Sequence, residues 1–343
     1  MNKFIIIIIN LFFVHLIYFG CSESPLISKD INWVKINKGS FVFGSPEDIS
    51  FRSATREKEV NVILTHDFVM ASTEVTQYQW LQAETAMPDQ LWYGDNLPVT
   101  FVNFYELLKF CNDLSKKEGY DSCYDLSSCK GVYGASCPEH ETPSNLKGCG
   151  CGTFNPPKYT YDCSKDPVIY TCKDKLIHKY KNWYECPGYR LPTTAEWEYA
   201  AKAGTTTHTY GGDIIGAGMS ACDEEKSLND IAWYCYNSDD RTHPVAQKKP
   251  NAFGLYDMLG NVAEIVDYFT DGGSLDYMDG HSGSDLTDPQ GQITGSWKDN
   301  RGGYFNGIGE ITRSSWQMSS SADEKQSLLG FRIVRTLFKG DKK

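Results

Sequence analysis

Nine of the twelve cysteines in this 343-residue chain fall between positions 111 and 186. From Glu118 to Cys186 hydrophobic periodicity vanishes, while Gly, Pro, Tyr and Cys accumulate. A stretch that long with no helical or strand period cannot bury a core of its own, and structureless loops of such length are uncommon inside compact domains. Several disulfides, each contributing roughly 2–5 kcal/mol, can hold it instead. The pattern predicts a cysteine-stapled insertion over residues 118–186, made in an oxidising compartment, with its pairing left open. A zinc site on Cys149-Gly-Cys151 is the alternative, but its spacer is shorter than the usual two residues. Cys111 falls on the apolar face of a predicted helix, where a free thiol acts as a small hydrophobe, and is the candidate for an unpaired cysteine.

The N-terminus agrees with export. Lys3 precedes an apolar run from Phe4 to Phe19, broken only by Asn10 and His15. Its 16 residues are short for a membrane span, which needs about 20. The run ends at Tyr18-Phe19-Gly20-Cys21, which resembles a bacterial lipobox with aromatic residues where Leu and a small residue are usual. The expectation is a signal over residues 1–20, lipid on Cys21, a tether over 21–31, and a body in the bacterial cell envelope, at the outer membrane or cell surface. An ordinary cleaved signal, giving a periplasmic or secreted protein, and an uncleaved anchor are the alternatives. Lys and Arg number 33 against 44 Asp and Glu, a net charge of -11, which does not suit the neutralisation of nucleic-acid phosphates. With 41% hydrophobic residues the chain can build a real core.

Asn32 to Phe43 alternates in polarity, with Gly39 and Gly44 as punctuation, and reads as a strand and turn; Val60 to Thr65 reads as a second strand. Asn103 with Glu106 forms a capping box, followed by Phe104, Leu107, Leu108, Cys111 and Leu114 at helical spacing. Thr193 with Glu196 forms another, leading into a short buried helix with Trp197, Ala200 and Ala201 on one face and Gly204 as its stop. Gly-punctuated short segments follow Tyr210. The domain is read as residues 32–337, with a basic tail over 338–343.

Seven segments recur in one order: Gly39-Ser40-Phe41-Val42-Phe43-Gly44, Glu74-Val75-Thr76, Pro98-Val99, Gly188-Tyr189-Arg190-Leu191-Pro192 through Ala201, Pro250-Asn251-Ala252-Phe253-Gly254-Leu255-Tyr256-Asp257 through Val262, Arg301-Gly302-Gly303, and Gly330-Phe331-Arg332. Together they resemble the formylglycine-generating enzyme family, also called the sulfatase-modifying factor domain. The resemblance implies an α+β fold related to C-type lectins, rich in loops, here carrying a disulfide-rich insertion. It also implies a site, and this sequence departs from it. The family's enzymes oxidise a substrate cysteine with two copper-binding cysteines between the Arg-Gly-Gly and Gly-Phe-Arg signatures. Here residues 304–329 hold no cysteine: the second position is Ser314 and the first falls near Gly309. A hydroxyl is not a soft copper(I) ligand, so copper is not expected and no catalytic residue is assigned. The usual Gly-Asn-Val-Trp-Glu-Trp reads Gly260-Asn261-Val262-Ala263-Glu264-Ile265, without either tryptophan, and a commonly arginine position is Gln317.

The resemblance further implies a structural calcium held by the side chains of Asp257 and Glu264 and the carbonyls of Gly260 and Val262, a hard-oxygen set suited to that ion. Capping of a tight loop by the same residues is the alternative. Three functions compete. The first is a non-catalytic binding or structural lipoprotein, anchored to the membrane by its lipid and facing an envelope protein or a glycan, with no nucleic acid. The second is a formylglycine-generating oxidase-like enzyme, which would need thiols from elsewhere such as Cys222 and Cys235. The third is a hypervariable ligand-binding protein on the same fold; such proteins tend to carry Asn before Gly-Phe-Arg, and residues 314–328 contain none.

Overall fold

The computed structural model describes residues 30–49, 52–83, 86–134, 170–173, 177–215, 222–270, 285–291 and 295–341. The expected signal, Cys21, and most of the insertion, including Cys137, Cys149, Cys151 and Cys163, lie outside the described residues.

Short strands and a few capped helices make a mixed α+β architecture. Strands β1 (Trp33–Ile36), β4 (Phe68–Ala71) and β12 (Val334–Thr336) form a three-stranded sheet with β4 in the middle. Strands β2 (Gly39–Phe43), β3 (Val60–Leu64) and β8 (Leu286–Thr287) form another. The third runs β10 (Gln317–Ser321), β9 (Trp297–Arg301), β7 (Ala263–Thr270), β11 (Leu329–Gly330). Asn32–Phe43 is therefore two strands in two sheets, where the alternation suggested one. The chain changes direction at Asn37–Lys38, and a Cβ on Gly39 would collide with the Tyr199 hydroxyl.

Both capping boxes form. In α2 (Phe104–Lys117) the Asn103 side chain accepts from the Glu106 amide and the Asn103 amide donates to the Glu106 carboxylate, each at 3.1 Å. In α3 (Thr194–Lys202) Thr193 and Glu196 do the same. Ala203 rather than Gly204 takes the first left-handed conformation, at φ 45°, and closes the helix. Helix α2 presents Phe104, Leu107, Leu108, Cys111 and Leu114 to one core, where Trp80 of α1 (Gln77–Ala83) stacks on Phe110 at 5.4 Å. Helix α3 packs Trp197 and Ala200 into a second core with Phe43, Met258 and Val266.

Cys111 is free and buried, as its apolar register predicts. Cys123–Cys186 ties the two ends of the insertion, and Cys129–Cys172 links β5 (Cys129–Lys130) to β6 (Thr171–Cys172). Cys222 is bonded to Cys235.

Candidate functional site

The arginines of the sequence motifs each meet a buried glutamate. Arg190 donates through two nitrogens to Glu196, both at 2.7 Å. Arg301 is paired with Glu198 of α3. Arg313 holds both oxygens of Glu57, at 2.5 and 3.0 Å. Arg332 holds Glu264, whose other contact is the Trp197 indole N–H at 2.7 Å. A buried charge is tolerated only when it is paired and hydrogen-bonded, so these residues are explained by the scaffold they hold together. Burial pushes the Glu57 carboxyl up, but Arg313 overrides it and holds the group below its ordinary value.

Ser314 and Gly309, at and near which the resemblance implies the family's cysteines, are both buried. Ser314 is pinned by its backbone: its amide donates to the His208 carbonyl at 3.0 Å and its carbonyl accepts from Arg301 at 3.1 Å. Its hydroxyl has no hydrogen-bond partner. Gly309 opens a short 3₁₀ turn, Gly309–Ile311, and a side chain there would meet Glu225 and Leu228 at 3.6 Å. The Cys235 amide donates to the Gly307 carbonyl at 3.0 Å, so this cysteine does stand beside the loop, but its sulfur is taken by Cys222. Ala263 and Ile265, where the family has tryptophans, are buried in β7 and offer no aromatic wall. Gln317 donates to the Arg56 carbonyl at 2.9 Å.

The expected calcium ligands come together, but not as a cation site. Asp257 accepts from the Ala246 amide at 2.7 Å, and the Gly260 amide donates to the Gly302 carbonyl at 2.8 Å. The Val262 amide donates to Glu74 at 3.1 Å. Both oxygens of Glu264 accept from Arg332, and one also accepts from Trp197. Arg332 engages both oxygens of Glu264 and sets a positive charge beside them, which opposes a divalent cation there, so Asp257, Gly260, Val262 and Glu264 fit calcium poorly as a set. Glu74, Asp257 and Glu264 crowd around the cation Arg332; burial lifts Asp257 to about 6 and lifts Glu74 well above the usual carboxylate range. Among the described residues no group of three or more His, Cys, Asp or Glu side chains is arranged to hold a metal.

Glu74 and Glu198 lie in the matched segments but carry no role there, and Glu57 is not singled out by the sequence. Glu57 sits in the charged run Arg56-Glu57-Lys58-Glu59, where nothing marks one acid as the buried one. The signal for Glu264 was present: one charge in the apolar segment Val262-Ala263-Glu264-Ile265-Val266, matched by one opposite charge in Phe331-Arg332-Ile333-Val334.

With this geometry in hand the chain can be placed. A family model described as the sulfatase-modifying factor enzyme 1-like domain matches residues 28–337, and the chain belongs to that family. It is 29% identical over 252 residues to the chaperone protein LppX of Paenibacillus barcinonensis, covering 71% of this chain and 74% of that protein. It is 31% identical over 146 residues to the formylglycine-generating enzyme of Thermomonospora curvata, an alignment that spans 42% of this chain and 46% of the enzyme. Among solved structures, Treponema denticola variable protein 1 superposes with a TM-score of 0.64 at 26% identity, over 89% of this chain and 95% of the other.

Proposed function

We propose that this chain is a non-catalytic binding protein of the bacterial cell envelope, held to the membrane through lipid on Cys21 and presenting its domain to an envelope protein or a glycan. One observation carries the reading: residues 304–329, where the resemblance places the enzymes' copper thiols near Gly309 and at the buried Ser314, contain no cysteine. Copper(I) chemistry needs soft ligands, and a serine hydroxyl is not one. The oxidase reading would have to recruit thiols from outside this interval, and Cys222 and Cys235 are bonded to each other. The relation to LppX, a chaperone by name, supports a role in binding rather than catalysis. The retained motifs agree, because their arginines and glutamates are spent on one another.

The mature protein should be incubated with copper, oxygen and sulfatase-type cysteine peptides, and aldehyde read by hydrazide capture and mass spectrometry. No aldehyde above the no-protein control is expected; any excess would overturn the reading. Cys21→Ser should abolish labelling by a fatty-acid probe, and unchanged labelling would remove the lipid anchor.

A further inference from the structure

A groove of about 1020 Å³ lies on the three-stranded sheet β1–β4–β12, and neither Gly309 nor Ser314 lines it. Its floor is a row of residues in register, Lys35 opposite Val69 and Val69 opposite Arg335. Alternation along a strand places such a row on one face of the sheet. Trp33, stacked on Tyr189 at 5.2 Å, forms one wall. Tyr184 is buried beneath His66, which stacks on it at 4.2 Å, and Phe338, 39% exposed, offers a second aromatic surface.

The charges of the lining cancel in pairs. Lys35 meets Asp67 at 3.0 Å and Arg335 meets Asp341 at 2.8 Å. His66 lies between Asp288 at 3.2 Å and Glu196 at 3.0 Å. Exposed and outside these pairs remain Lys38, Lys339 and Glu185. A simple anion or cation would meet as many like as opposite charges here. A hydroxyl both donates and accepts, so a ligand made of hydroxyls can use the acid and the base of each pair at once. Flat aromatic walls suit the apolar C–H faces of sugar rings, since an aromatic side chain offers large apolar area of fixed geometry. The volume is at the upper end of ordinary ligand pockets, roughly 300–1,000 Å³, which favours a short chain of rings over one ring.

We propose that this groove binds an uncharged oligosaccharide, with Trp33 as its stacking platform and Lys38, Lys339 and Glu185 as hydrogen-bonding partners. The proposal deepens the binding-protein reading and rests on it, but its measurement is separate: sugar binding can fail while the aldehyde assay stays blank.

The test uses the full mature chain carrying Cys21→Ser, titrated with N-acetylchitotetraose, maltotetraose and the anionic tetragalacturonate by calorimetry and tryptophan fluorescence. At least one neutral sugar is expected to bind saturably, and tetragalacturonate at least about tenfold more weakly. Trp33→Ala should weaken the neutral sugar by roughly tenfold or more. Because Trp33 packs on Tyr189, its variant is checked by thermal melting; the exposed pair Lys38→Ala and Glu185→Gln, which removes no packed group, should weaken binding by roughly threefold or more. No saturable binding of either neutral sugar, tighter binding of tetragalacturonate, or unchanged affinity in the exposed double variant would each overturn the proposal. A groove that takes peptide instead would leave both neutral sugars silent.

Discussion

Arg332 grips Glu264 through two nitrogens: Nε reaches both carboxylate oxygens, at 2.9 and 2.7 Å, and Nη2 reaches Oε1 at 2.6 Å. The two residues are 68 apart in sequence and both are buried. Arg332 also donates to the carbonyls of Ala71, at 3.3 Å, and Tyr256, at 2.9 Å. One side chain thus joins β4, β7 and the loop before Gly260.

Removing one partner leaves the other charged and buried. Arg332→Ala is expected to destabilise the domain by about 3–5 kcal/mol. Replacing both, as Arg332→Met with Glu264→Leu, should cost less than the single change, because Glu264 is then not left charged and buried without its partner. Urea melts of the three proteins check the order, and a single variant as stable as wild type contradicts it.

Calcium removal should leave stability unchanged. Since Glu264 is committed to Arg332, a chelator is expected to shift the melting temperature no more than buffer does, and elemental analysis should find no stoichiometric calcium. A ligand that binds only the native state stabilises it by mass action, so a drop on chelation reversed by calcium would restore the cation reading.

Asp299 gives the fold a pH dependence of known sign. It is fully buried, with Thr194 as its hydroxyl partner at 2.7 Å, and burial raises it from 3.8 to about 6. The folded state therefore holds this proton more tightly than the unfolded chain. Its contribution is complete below the unfolded value and is lost as pH climbs from about 4 to about 6, to a limit of about 3 kcal/mol. Asp299→Asn, neutral at every pH, should flatten that part of the stability profile. An identical profile in the variant would show that Asp299 titrates normally.

Restoring thiols should not restore chemistry. Ser314→Cys replaces a hydroxyl that has no hydrogen-bond partner, and Gly309→Cys meets only ordinary contacts at 3.6 Å. The double variant is expected to fold, and at most to retain copper(I) on gel filtration. It should form no aldehyde, because positioning the reacting cysteine also needs the aromatic wall that Ala263 and Ile265 have replaced. Aldehyde from this variant would mean that the two thiols alone had been missing.

Much of the framework was legible. Two capping boxes, a helical run of apolar residues and a free Cys111 on it are local signals, and local signals survive folding. Seven ordered motifs were enough to identify the fold. The two-strand division of Asn32–Phe43 was not legible, because alternation reports which side is buried and not which sheet buries it. Nor were the partners of the buried arginines. Arg313 finds Glu57 across 256 positions, and no pattern near Glu57 distinguishes it from Glu59. The partner of Glu264 was hidden in the same way: Asp257 and Glu264 carry chemistry suited to calcium, but Arg332 reaches Glu264 from 68 positions away.

Cys123 and Cys186 bring the two ends of a 63-residue excursion to within 5.5 Å, Cα to Cα. Once that clasp is closed, the body of the domain is insulated from the length of what hangs between, since loop-closure entropy grows only logarithmically with the number of residues. A change of loop length inside the clasp that spares Tyr124, Ile177 and Trp183, all buried in the core, would change the free energy of folding by about 0.6 kcal/mol per doubling of length. The clasp thus puts two different demands on one segment: Tyr124 and Ile177 near its ends are fixed by the core they share with α2, while the length of chain between them is nearly free.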